Sequence, residues 1–147
     1  MKKRHIVLIA ALTALVAVIV IYYAFPDVAF KLLLKAERIS AGLKQQSIEV
    51  GDLHIEYLEG GQGDVVLLLH GFGANKDNWT RISKHFTPHY RVIAPDLPGF
   101  GGSSRQPGAN YTIAAQADRI HAFVRAIGVK RFHLGGSSMG GNIAGVY

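Results

Sequence analysis

Residues Phe132–Gly141 read FHLGGSSMGG. A short apolar run ends on glycine, and Met139 opens a segment of helical character. Between them, Gly136-Ser137-Ser138-Met139-Gly140 fits the pattern G-x-S-x-G in its required context, with a strand before and a helix after. The spacing has a steric reason. A serine held on a sharp strand-to-helix turn lifts its hydroxyl clear of the sheet edge, and residues two places to either side must lack bulk or the turn closes on them. Only Ser138 has glycine at both flanks, because for Ser137 the same positions are Gly135 and Met139. The helix that begins at Met139 points the positive end of its dipole at the same spot.

Working outward, Val65–His70 (VVLLLH) is a continuous apolar run, the mark of a strand covered on both faces. Arg91–Asp96 (RVIAPD) is another short strand, closed by Pro95 and the Leu97-Pro98-Gly99 turn. Trp79, Ile82 and Phe86 fall at helical spacing. So do Ile113, Ala117, Ile120, Val124 and Ile127, with Gly128 as the stop. Upstream, Ser47–Val50 and Leu53–Leu58 alternate apolar and polar residues around Gly51-Asp52, a two-residue hairpin signal. The order is hairpin, strand, helix, strand, helix, strand, helix. It predicts an α/β fold: part of a doubly wound, mostly parallel sheet over residues 46–147.

Two further motifs sit at strand ends. His70-Gly71-Phe72-Gly73 follows the most apolar strand and resembles the HGGG-type loop that lends a backbone N–H to an oxyanion hole. Phe72 stands where that loop has glycine, and a backbone donor works with any residue but proline. Met139 N–H is the second candidate donor. His70 is read as a loop support that works by hydrogen bonding, not as a base. Asp96-Leu97-Pro98-Gly99-Phe100-Gly101-Gly102-Ser103 is a strand end followed by a glycine-rich loop, in which Asp96 is expected to satisfy loop N–H groups. Counted from Gly99, the sixth position is Ser104, so the dinucleotide fingerprint G-x-G-x-x-G fails, and no phosphate-binding G-x-x-x-x-G-K-[ST] occurs.

HGFG, DLPGFGGS and GGSSMGG, at these intervals and in this order, resemble the α/β-hydrolase superfamily. With the apolar N-terminal arm added, the chain is similar to membrane-anchored serine hydrolases of the monoacylglycerol-lipase type. The resemblance implies an ester hydrolase with Ser138 as nucleophile, Phe72 and Met139 N–H as the oxyanion hole, and His70, Gly71, Gly73, Gly136, Gly140 and Asp96 in support. It implies a lipid or small ester as substrate, an acyl-enzyme intermediate, and no metal or organic cofactor. In that superfamily the acid and then the histidine base follow the serine. All seven histidines here precede Ser138, so the chain is expected to be an N-terminal fragment that lacks the acid, the base and a cap domain and is nearly inactive alone. Haloalkane dehalogenases and epoxide hydrolases share the fold with aspartate at the elbow, from which Ser138 departs. Serine-dependent carbon–carbon hydrolases and perhydrolases stay open as alternatives, as does a membrane-tethered non-catalytic module.

The arm itself is read as two parts. Residues 1–25 contain Ile6–Phe25, 20 residues without a charge. As a helix they span about 30 Å, the thickness of the hydrocarbon core. Tyr22 and Tyr23 mark one end and Lys2, Lys3 and Arg4 the other. The run is too long for the apolar core of a cleaved signal, and no small-x-small site follows it, so an uncleaved single-pass anchor in the bilayer is expected. Basic residues flank both ends, so charge assigns no side to the domain. Residues 26–45 include a stripe of Val28, Leu32, Ala36, Ile39 and Leu43 beside Lys31, Lys35 and Arg38. That pattern fits a helix over Val28–Leu43, either lying in the headgroup layer or packed on the following domain.

Charge follows the same division. Seven of the 16 Lys/Arg and two of the ten acidic residues lie in the first 45 positions, a net of +5 out of +6. A basic stripe on the folded domain, as nucleic-acid binding requires, is therefore missing, and no nucleic-acid partner is expected. With 49% hydrophobic residues the chain is not of disordered composition, and with no cysteine it is not a disulfide scaffold.

Overall fold

The computed structural model describes residues 2–147. They form two units, one up to Ala36 and one from Glu37 onward.

In the first unit, helix α1 runs Lys2–Ala24 and helix α2 begins at Pro26, whose missing N–H costs nothing at a helix start. Lys3–Ala24 is long and apolar enough to cross a membrane, by length and composition. Ile6, Val7, Leu12 and Val18 on it are each more than half exposed. Helix α2 covers Pro26–Ser40, with Asp27 in its first turn and Arg38 in its last, both complementing the helix dipole.

Here the structure departs from the apolar periodicity. The helix stops at Ser40, and Leu43 is buried as the first residue of strand β1, Leu43–Val50. The reason lies in pairing. Lys44, Gln45 and Gln46 carry no strand pattern of their own, but β2 (Leu53–Gly60) pairs with β1 along its whole length, from Val50↔Leu53 at the Gly51-Asp52 turn to Leu43↔Gly60.

The second unit continues with β3 (Val65–Leu69), a 3₁₀ turn (Lys76–Trp79), α3 (Thr80–Phe86), β4 (Arg91–Pro95), α4 (Ile113–Ala126), β5 (Phe132–Gly136) and α5 (Met139–Val146). The five strands form one mixed sheet in the order β1-β2-β4-β3-β5. The first two pairings are antiparallel, and β3 runs parallel to both β4 and β5.

Period-2 alternation splits the core between the two faces. Leu67, Leu69, Ile93, Ile55 and Tyr57 pack under α4 and α5 with Ile120, Phe123 and Ile143. Val66, Leu68, Val92, Ala94 and Leu58 face the other way, toward Trp79 and Phe86. Ile82, in helical register with those two, is 45% exposed. Helices thus cover both faces, as the unbroken apolar runs of β3 and β4 require.

From β3 the chain crosses to β4 on one side and then returns past β3 to β5 on the other. The carboxyl ends of β3 and β5 therefore flank the switch point, where open α/β sheets bind ligands.

Candidate active site

Leu69 and Gly136 are the last partners in the β3–β5 register, and Ser137 N–H extends the ladder by donating to Leu69 O at 3.0 Å. This pairing brings two loops together that are distant in sequence: the one after β3, with His70-Gly71-Phe72-Gly73, and the turn after β5, with Ser138.

Ser138 has φ 51° and ψ −117° and caps α5. Among the described residues it is the only non-glycine with positive φ. Such a conformation is strained for an L residue and persists only where its surroundings enforce it. The enforcement is visible. Gly140 N–H donates to Ser137 O at 2.9 Å and Asn142 N–H to Ser138 O at 3.1 Å, which start the helix immediately. A Cβ on Gly136 would collide with the backbone of Gly140, and one on Gly140 with the carbonyls of Leu69 and His70. Both flanking positions thus lack room for any side chain, which is the physical content of the motif. Ser138 itself is exposed.

Gly71 lies directly against this turn, the place of its absent Cβ being 3.3 Å from Ser138 Cβ. Phe72 follows, 81% exposed, with its ring edge-on to Phe100 at 5.5 Å. Gly73 adopts φ 72° over open space. Met139 N–H belongs to the first turn of α5, whose amides have no acceptor within the helix. Phe72 and Met139 also line one cleft of about 560 Å³ with Gly99, Phe100, Arg105 and Tyr111.

His70 is fully buried, and both ring nitrogens are engaged. Leu97 N–H donates to Nε2 at 3.0 Å, so Nδ1 carries the proton and donates to Gly71 O at 2.8 Å. Burial holds its pKa below the ordinary value, with the bond to Gly71 and the charge of Asp96 opposing only in part. A neutral ring with no free nitrogen acts here as a brace between two loops.

Three of the other histidines are engaged elsewhere. His54 pairs with Glu49 at 2.6 Å, His121 meets the Tyr147 hydroxyl at 3.1 Å, and the His133 ring meets Tyr90 edge-on.

Asp96, also fully buried, accepts from Gly102 N–H at 2.7 Å and from Lys76 N–H at 2.6 Å. Of its own glycine-rich loop, Asp96 thus satisfies the Gly102 N–H. The sequence reading missed the Lys76 side chain. It is 5% exposed, and its Nζ lies 2.7 Å from Asp96 Oδ2 and 2.9 Å from Glu56 Oε2. Burial pushes its pKa down, but the two carboxylates outweigh that and hold it above the ordinary lysine value. A lysine that loses water must gain an acidic partner. Nothing in the local sequence names the partner, since Asp96 and Glu56 arrive through the sheet.

Arg38 is the second departure. It does not stay with Lys31 and Lys35 as one free basic face; it grips Asp77 with two hydrogen bonds of 2.6 Å, while Glu37 pairs with Arg81.

A family model described as alpha/beta hydrolase fold matches residues 64–147, the stretch that contains β3, the switch point and the serine turn. The chain belongs to the alpha/beta hydrolase fold family. Monoacylglycerol lipase abhd6-A of Xenopus laevis is 46% identical over 84 residues, covering 56% of this chain and 25% of that protein. Lipase 1 of Psychrobacter immobilis is 42% identical over 120 residues, covering 78% of this chain and 37% of that protein. Among solved structures, a bacterial membrane phospholipase A matches at TM-score 0.82 and 44% identity, over 100% of this chain and 47% of its own. The chain thus spans about a quarter to just over a third of the length of these two lipases.

Proposed function

We propose that this chain bears the nucleophile of a membrane-anchored serine hydrolase acting on lipid carboxylic esters, with monoacylglycerols foremost. The observation that carries the reading is Ser138: an exposed serine in a strained backbone conformation, at the carboxyl edge of the sheet, beside a glycine loop and an apolar cleft. Strain of this kind marks sites where geometry serves chemistry. Similarity to two lipases and a membrane phospholipase supports esters as the substrate class.

In the proposed reaction, Ser138 Oγ attacks the ester carbonyl and its proton passes to a histidine supplied by the rest of the full-length protein. The N–H groups of Phe72 and Met139 hold the developing oxyanion, the alcohol leaves with the transferred proton, and water then releases the acid from the acyl-enzyme. The walls of Phe72, Phe100, Tyr111 and Met139 suit an acyl chain. The exposed apolar length of α1 and the exposed stripe of Val28, Leu32 and Ile39 on α2 suit a bilayer and its headgroup layer.

The test is fluorophosphonate labelling of the full-length protein in membranes. Ser138→Ala is expected to abolish labelling and Ser137→Ala to retain it, with a monoacylglycerol protecting Ser138 better than a triacylglycerol. Labelling that survives Ser138→Ala would sink the assignment.

A further inference from the structure

The loop that carries Phe72 is tied at both ends to two consecutive residues at the end of β4. At its start, His70 Nε2 accepts from Leu97 N–H at 3.0 Å. At its finish, Lys76 binds Asp96 twice, by its N–H at 2.6 Å and by its ammonium at 2.7 Å. Asp96 and His70 are fully buried and Lys76 is 5% exposed, so water does not compete for these contacts.

Between the two ties the loop is held by the His70 Nδ1–H bond to Gly71 O and by the edge-on contact of Phe72 with Phe100. The Phe72 side chain is 81% exposed, and the one backbone bond made inside the loop, Ala74 N–H to Gly71 O, is long at 3.3 Å. Gly71, meanwhile, runs so close to the serine turn that a Cβ placed on it would stand 3.3 Å from Ser138 Cβ and 3.3 Å from Ser137 O. An oxyanion donor works only within about 2.7–3.1 Å of the charge that develops. A shift of a few tenths of an ångström at the Lys76 end is therefore felt at the Phe72 N–H.

We propose that Lys76 is a positioning residue: its double contact with Asp96 fixes the far end of the His70–Lys76 loop and thereby aims the Phe72 N–H at the oxyanion formed on Ser138. This rests on the reading of Phe72 N–H as an oxyanion donor. Glu56, 2.9 Å from the same ammonium, gives the lysine a second acidic contact. Lys76 touches no substrate and moves no proton; it acts through the loop alone.

The experiment uses the full-length protein, with hydrolysis of a short-chain monoacylglycerol, affinity for an alkyl boronate that forms a tetrahedral serine adduct, and thermal melting measured together. Lys76→Met is expected to lower kcat by about 10–100-fold with KM changed less than about twofold, the signature of an interaction made only in the transition state. Boronate affinity is expected to fall by the same factor. Phe72→Pro, which removes the N–H itself, separates the two layers of the idea. If Phe72→Pro leaves boronate affinity unchanged, the oxyanion reading fails. If Phe72→Pro weakens it and folded Lys76→Met does not, the positioning role alone fails. Should Lys76→Met not fold, Asp96→Asn, which keeps the shape and one acceptor for the Lys76 N–H, takes its place with the same expectations. Loss of folding in both variants overturns the proposal, because the tie is then a stability contact and no more.

Discussion

At Ser138 the backbone cost and the proposed chemistry fall on one residue, and its neighbours show how little freedom the turn has. A methyl group on Gly140 would have to displace the carbonyls of Leu69 and His70. Gly140→Ala is expected to lower the free energy of unfolding by about 3 kcal/mol, the upper range for overpacking against rigid backbone, as read by urea denaturation. A loss below about 0.5 kcal/mol, typical of open surface sites, would mean that the turn yields. His70 adds a pH dependence. Its pKa is lowered in the folded state from an ordinary 6.5 by burial, so the unfolded chain binds the proton more readily. The contribution of His70 is fully present above pH 6.5 and is lost as pH falls below it, with a slope of up to about 1.4 kcal/mol per pH unit. Unfolding measured between pH 5 and 8 is expected to show this slope, and His70→Gln to reduce it. The requirement for small residues at Gly136 and Gly140 was legible in the motif. The tautomer of His70 was not, since it depends on Leu97 N–H, which the fold delivers from another strand.

Among the elements, the end of α2 is where local pattern and tertiary pairing disagree. The spacing of Val28, Leu32, Ala36, Ile39 and Leu43 suits one continuous helix, yet Leu43 is worth more as a buried strand residue opposite Gly60 than as the last turn of a helix. The first half of β1 exists through β2, whereas its second half and β3, β4 and β5 are announced by their own residues. The last turn of α2 is held by charge: Arg38 and Asp77 are 18% and 12% exposed and form a bidentate pair, a geometry stronger than an ordinary surface ion pair. Arg38→Ala is expected to cost about 1–2 kcal/mol and to speed hydrogen exchange at the amides of Ala41 and Gly42, whose bonds run to Glu37 and Ile39. Exchange rates that match those of the unaltered protein would show that the helix end is held by other contacts.

For the whole molecule, residues 1–36 hold the apolar span and a net charge of +4, and the hydrolase-fold unit from Glu37 onward holds +2. Removal of residues 1–25 is expected to shift the protein from the membrane to the soluble fraction on ultracentrifugation; a protein that stays with the membrane would transfer the anchoring role to α2. The sequence by itself determined the class of the fold, the serine at its turn and the apolar span, because each is written in local terms: period-2 and period-3.6 patterning, glycines where no side chain fits, and a run of 20 uncharged residues. Only the tertiary structure decided how these parts act together. Parallel pairing of β3 with β5 sets the glycine loop against Ser138, and the approach of β4 puts Asp96 on Lys76 and Leu97 on His70. Those contacts join residues far apart in the chain. Their energies come from burial and partner geometry, which no local pattern of residues encodes.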